Sequence, residues 1–136
     1  MDCSDFTDTY IKKSSDNALA FFKAKGHSDK MAAEIMAYKL RLIISKSGNE
    51  WTLSRINSNG KQHTLKFELD KEFDEILPNG HIAKSIVSAG NGCKQFIHKQ
   101  LDGELEIKFI YDFNNSEPVV TGIIGGVTAK WFFAKD

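Results

Sequence analysis

The chain has 136 residues, with 18 basic against 18 acidic side chains, no formal net charge, 41% apolar residues and 26% charged ones. That length and composition suit one globular domain over residues 1–136 that needs no disulfide or metal to fold, and they exclude an intrinsically disordered chain. Lys and Glu/Asp interleave along the chain, so the clustered basic face with which a nucleic-acid binder displaces phosphate counterions is missing. No stretch approaches the roughly 20 apolar residues of a transmembrane helix.

The start, Met1-Asp2-Cys3-Ser4-Asp5, lacks the cationic and apolar regions of a signal peptide, so a cytoplasmic location is expected. Cys3 and Cys93 lie far apart without ligand spacing, and reduced thiols are expected rather than a disulfide or zinc site. Asn114-Asn115-Ser116 matches a glycosylation sequon, which without a secretion signal reads as a chance match in a turn.

A first strand is expected over Phe6–Lys13, followed by the only helical part of the chain. Helix formers run from Asn17 to Lys25, with polar residues at the entry and Gly26 where a C-terminal cap belongs. Ser28-Asp29 offers a fresh N-cap for a second helix through Ala37. The apolar faces are expected to carry Leu19, Phe22, Met31 and Ile35, and helices this short need something to dock on.

After Tyr38 the chain becomes short β-branched and aromatic segments broken by turn residues: 46–49, 57–60, 78–80, 90–92, 102–103, 114–116 and 125–126. About ten strands result, and without helices between them they should pair antiparallel as consecutive hairpins. Leu105, Ile107, Phe109, Tyr111 and Phe113 share one face of their strand; Leu65, Phe67 and Leu69 share another; Trp51 and Leu53 share a face with Arg55. In the strand from Cys93 to Leu101 the alternation is unclear, and either Phe96 and His98 or Gln95, Ile97 and Lys99 face inward. One-faced strands without a covering helical layer are best buried by closing the sheet into a barrel, and ten strands are wide enough to leave an internal cavity.

The residues then carry a resemblance. Asp5-Phe6-Thr7-Asp8-Thr9-Tyr10, the two-helix insert, Leu42-Ile43-Ile44-Ser45, Phe67 through Glu75, Ala83-Lys84-Ser85, Asp102-Gly103 and Gly126-Val127-Thr128-Ala129-Lys130 follow one another in the order and spacing of the intracellular lipid-binding proteins. The chain resembles the fatty-acid-binding protein family over nearly its whole length. The resemblance implies an all-β fold, a ten-stranded antiparallel up-and-down β-barrel (β-clam) under a helix-turn-helix lid. It also implies a long-chain fatty acid or related lipid as ligand. Lid lysines (Lys23, Lys25 and Lys30) would make transient contact with anionic membranes during transfer.

One departure bears on the ligand. Many members hold the ligand carboxylate with an Arg-x-Tyr pair on the last strand and an Arg two strands earlier. Here those positions read Trp131-Phe132-Phe133 and Phe109. A buried carboxylate without a cation or donor costs several kcal/mol or is neutralised. Arg55, one of two arginines, is the candidate replacement if it faces the cavity, with Tyr111 adding a hydroxyl. If strand twist or a bulge near Asn57 turned Arg55 outward, that anchor would be lost. Trp131 and Phe133 are expected to line a drier, shorter pocket, with Gly122 leaving room opposite.

No nucleophile elbow, phosphate-binding loop, zinc signature or acid/base carboxylate pair stands in its required context, so no enzyme and no cofactor are expected. Glu72, Asp74 and Glu75 form the one dense acidic cluster, on a strand and turn that the resemblance explains. The reading is a monomeric carrier for a small hydrophobic ligand. The ligand-binding residues are Arg55, Phe109, Tyr111, Trp131, Phe133, Trp51, Leu53, Phe22, Met31 and Ile35. The alternatives are a carrier of a neutral or retinoid-like lipid, because Trp-Phe-Phe replaces Arg-x-Tyr, and a filled-barrel interaction protein.

Overall fold

A computed structural model describes residues 7–77, 80–90, 94–113 and 117–136. Its order is β1 (Thr9–Asp16), α1 (Ala18–Ala24), α2 (Asp29–Ala37), β2 (Leu40–Ser47), β3 (Glu50–Asn57), β4 (Gln62–Phe67), β5 (Phe73–Ile76), β6 (Ile82–Gly90), β7 (Gln95–Asp102), β8 (Leu105–Asp112), β9 (Val119–Ile124) and β10 (Val127–Lys135). Cys3, Cys93, the 114–116 sequon and the start of the expected first strand at Phe6 lie outside the described residues.

The ten strands form one antiparallel sheet in the order β4-β3-β2-β1-β10-β9-β8-β7-β6-β5. From β2 to β4 and from β5 to β10, neighbours in sequence pair as hairpins, and left-handed glycines such as Gly103 (φ 61°) and Gly125 (φ 57°) turn the chain where a Cβ would be strained. β1 joins the two ends of the chain order by pairing with both β2 and β10, and a register shift between Lys12 and Ser14 bends it between them. Closure is incomplete at the backbone. Among the described residues no ladder joins the edge strands β4 and β5, and a side-chain contact spans them instead, from His63 on β4 to Glu75 on β5.

The inward faces follow the alternation. Trp51, Leu53, Leu65, Phe67, Ile107, Phe109, Tyr111, Phe113, Ala129, Trp131 and Phe133 are all buried. On β7 the choice falls to Phe96 and His98, which are 0% and 1% exposed.

The helices keep Phe22 and Ile35 of the expected faces at least half-buried but turn Leu19 and Met31 outward. α1 buries Ala18 and Phe21, and α2 buries Ala32, whereas Leu19 and Met31 are 43% and 47% exposed. The spacing Ala18, Phe21, Phe22, Lys25 is one helical face, and it is this stripe that meets the barrel. Small Ala32 lets α2 approach α1, which leaves Met31 turned to the solvent side. Ser28 caps α2 as expected, its hydroxyl accepting from the Met31 amide at 3.2 Å.

Aromatic rings fill much of the interior. Phe21 drops from α1 edge-on to Trp131 with ring centroids 5.1 Å apart, and lies 5.8 Å from Phe109. A second group centres on Phe96, with Trp51 at 4.9 Å, Phe67 at 5.7 Å and Phe113 at 5.8 Å. Gly122 makes the first group fit: a Cβ there would stand 2.8 Å from Phe21 Cε2 and 2.8 Å from Trp131 Cζ3. The room expected opposite Trp131 is therefore occupied by the lid's own ring. Gly122→Ala overpacks this contact and should lower unfolding stability by about 1–3 kcal/mol, read as a lower urea midpoint; a midpoint equal to the parent's would contradict the close approach.

Candidate functional site

Between α1 and the barrel wall lies a pocket of about 90 Å³. The lid supplies Phe21, Phe22 and Lys25; β2 supplies Leu42, with Leu40 at its start; β3 supplies Arg55; and β8, β9 and β10 supply Phe109, Tyr111, Val120, Trp131 and Phe133. A larger hollow of about 730 Å³ is lined by Lys84, Lys99, Glu104, Glu106 and Lys108 among others. Its walls mix these charges with Ile86, Leu101, Leu105, Ile107 and Ile123, whereas the smaller, aromatic-walled space under α1 gathers most of the sequence-derived ligand residues and is the candidate site.

Six of the sequence-derived ligand residues meet there: Arg55, Phe109, Tyr111, Trp131, Phe133 and Phe22. Trp51 and Leu53 are buried elsewhere in the core, Trp51 against Phe96. Ile35 is half-buried away from the pocket, and Met31 is exposed. The positions missed in the sequence are Phe21, Lys25, Leu40, Leu42 and Val120. The i, i+3, i+4, i+7 spacing from Ala18 would have found Phe21 and Lys25.

The pocket's polar groups lack partners. Arg55 Nε and the Tyr111 hydroxyl are buried without a hydrogen-bond partner. The Arg55 guanidinium carbon stands 5.7 Å from the Phe109 ring centroid, within cation–π range. Burial pushes the Tyr111 phenol above its ordinary pKa, against the opposing pull of Arg55. Lys25 is pushed down to about 8, first by desolvation and then by the Arg55 charge.

Next to the pocket a buried carboxylate ties the seam. Glu75 is 2% exposed. Its Oε1 accepts from Ser85 Oγ at 2.8 Å and Gln100 Nε2 at 3.0 Å, and its Oε2 meets His63 Nε2 at 2.8 Å. His98 Nε2 comes within 3.1 Å of Oε1 but out of line for a hydrogen bond. Desolvation would raise the Glu75 pKa, but His63, His98 and Gln100 outweigh it and hold the carboxyl well below the usual range. The acidic cluster of β5 thus divides, since Asp74 faces out to pair with Lys84 at 2.6 Å. Among the described residues no group of His, Cys, Asp and Glu is arranged to hold a metal.

A scan against protein-family models gives no match. A fatty acid-binding protein of Lepidoglyphus destructor is 30% identical over 91 residues, 67% of each chain. Fatty acid-binding protein homolog 5 of Caenorhabditis elegans is 26% identical over 126 residues, 93% of this chain and 92% of its own. The solved structure of the Schistosoma mansoni fatty acid binding protein in complex with arachidonic acid matches with a TM-score of 0.90 at 20% identity, covering 98% of both chains. That of Echinococcus granulosus fatty-acid-binding protein 1 matches at 0.87 and 18% identity over 96% of both. At these identities the structural matches establish the ten-stranded fold.

The depressed Glu75 carboxyl makes stability depend on acid. Its folded-state pKa lies below the ordinary 4.5, so its contribution is complete above that value and is lost as pH falls below it. Between pH 6 and pH 3 the urea midpoint of the parent should fall more steeply than that of Glu75→Gln; parallel profiles would contradict the ionised cluster.

Proposed function

Because the chain belongs to the fatty-acid-binding protein family of intracellular lipid-binding proteins, we propose that it carries a long-chain fatty acid as its anion, with the carboxylate on Arg55. Its family is one of carriers, and the protein works by binding and release, not by turnover. The observation that supports a charged ligand is the Arg55 Nε, buried without a partner in an aromatic-walled pocket beside the unpartnered Tyr111 hydroxyl. A desolvated cation without a counter-charge is costly. A carboxylate supplies that charge in a geometry the guanidinium fork matches, and the Tyr111 hydroxyl donates to the same group.

The acyl chain contributes roughly 0.8 kcal/mol per buried methylene before ordering costs. The pocket of about 90 Å³ is too small for such a chain, so loading requires the Phe21 and Phe22 rings to leave the space they fill. Both rings ride on α1, whose seven residues are too few to be stable undocked, and movement of this short helix is the least costly way to open the site. A cytoplasmic, monomeric carrier is part of this reading.

A second reading, a carrier of a neutral or retinoid-like lipid, is favoured by the aromatic side chains at Phe109, Trp131 and Phe133, where many relatives have Arg and Tyr. Delipidated protein titrated with oleate and with retinol, followed by tryptophan fluorescence, separates the two. Arg55→Met should weaken oleate about ten- to hundredfold, the loss of a charged hydrogen bond, and leave retinol nearly unchanged. The unliganded variant should melt higher than the parent, because a buried polar atom without a partner is gone. Retinol binding without oleate binding would favour the neutral ligand. Binding of neither would favour a filled barrel, and equal oleate affinity in the variant would remove Arg55 as anchor.

A further inference from the structure

Lys25 stands at the end of α1, one helical turn beyond Phe21 and Phe22 on the face turned to the barrel. Lys23, two residues earlier, points away and forms an exposed ion pair with Asp29 at 3.1 Å. Lys25 has no ion pair among the described residues; its ammonium lies 5.9 Å from the Phe21 ring centroid and lines the pocket that holds Arg55. The residue as a whole is open to solvent, yet its charge is strongly desolvated. The two observations agree if the stem lies on the outside of the lid and the ammonium dips into the pocket mouth.

We propose that Lys25 is the second cationic ligand of the carboxylate, so that the lid's ammonium and the wall's guanidinium grip one hydrophobic monoanion at the pocket mouth beneath α1. This rests on the carrier reading above. Two cations line this apolar pocket with no acid among its lining residues, while Glu75 and Asp102 outside the lining pull against their repulsion; an anion between the two cations turns that repulsion into two attractions. The helix that blocks the pocket with Phe21 and Phe22 thereby carries the group that rewards its return over a bound anion. A neutral lipid offers no such reward. Lys25 is then a specificity-determining residue, and Lys23 and Lys30 alone remain as outward lysines of the lid.

Proton linkage follows. Free Lys25, with a pKa of about 8, is partly neutral in mildly alkaline solution, and a bound carboxylate raises its affinity for the proton. The other charged groups around it do not mimic this between pH 7 and pH 9.5. Arg55 stays charged, Tyr111 is held protonated by burial, and His27 is held neutral by burial and by Lys25 itself. Glu75 is ionised throughout, and the charge of Asp102 also reaches Lys25.

The test is calorimetric titration of dodecanoate and dodecan-1-ol into the parent, Lys25→Met and Lys23→Met, at pH 7 and pH 9.5 and in two buffers of different ionisation enthalpy. The parent should bind dodecanoate with proton uptake near pH 8.5 and lose several-fold in affinity by pH 9.5. Lys25→Met should bind it about tenfold more weakly at pH 7, without proton uptake or that pH dependence. Lys23→Met should behave as the parent, and dodecan-1-ol should show none of these differences. Undiminished dodecanoate affinity and proton uptake in Lys25→Met would overturn the assignment while leaving the carrier intact. Failure of the parent to bind either ligand saturably would overturn the carrier reading, and this inference with it.

Discussion

An antiparallel sheet that wraps round until its edges nearly meet leaves no freedom over which side chains share the interior. Every second residue of ten strands points inward, and a one-residue slip anywhere would exchange a whole strand's core for its solvent face. The rest of the molecule follows from this constraint. Arg55 faces the pocket because Trp51 and Leu53, four and two residues before it on β3, face inward. His98 is inside because Phe96 is. Glu75 is inside while Asp74 pairs with Lys84 on the surface. Polar groups forced inward in this way must find partners, and Glu75 has found His63, Ser85 and Gln100, whereas Arg55 Nε and the Tyr111 hydroxyl have not.

The contrast between buried Glu75 and half-buried Arg55 is the basis on which the proposed reading divides structure from function. Glu75 lies where the edge strands fail to pair, and its contact with His63 supplies across the seam what a ladder supplies elsewhere. It is a satisfied, structural charge. Arg55 is an unsatisfied one, set among Phe109, Trp131 and Phe133 under a lid of two aromatic rings. A protein that holds a guanidinium this way sacrifices stability in the unliganded state, a sacrifice that a carboxylate ligand reverses. Gly122 belongs to the same arrangement, because only a residue without a Cβ lets Phe21 seal the empty pocket against Trp131.

The barrel was legible in the sequence because its evidence is periodic. Leu105 to Phe113 alternates without interruption, and the Gly and Asn turns set the strand count. The aromatic side chains at the usual anchor positions came from the resemblance, and the pocket-facing position of Arg55 followed from strand parity. The helices were less legible, since alanine carries little hydrophobic signal: Ala18 and Ala32 mark the buried faces, but the larger Leu19 and Met31 draw attention to the wrong ones. β7 mixes Gln, His and Lys with Phe and Ile, so its register needed its partners β6 and β8. The Glu75 cluster draws on β4, β5, β6 and β7, and no local pattern could announce it. Cavity size was not legible for a different reason, since strand number sets the barrel's width while the rings of Phe21, Trp131 and Phe96 decide how much of it stays empty.

The most direct measurement is the carbon-13 resonance of carboxyl-labelled oleate bound to the protein, followed from pH 7.5 down to pH 5. A carboxylate clasped by Arg55 has its pKa lowered by about 1–3 units, so the resonance should remain at the ionised position across the range. A carboxyl buried without a cation has its pKa raised instead. A bound resonance that titrates above pH 6, or sits at the neutral-acid position at pH 7, would contradict the charged anchor.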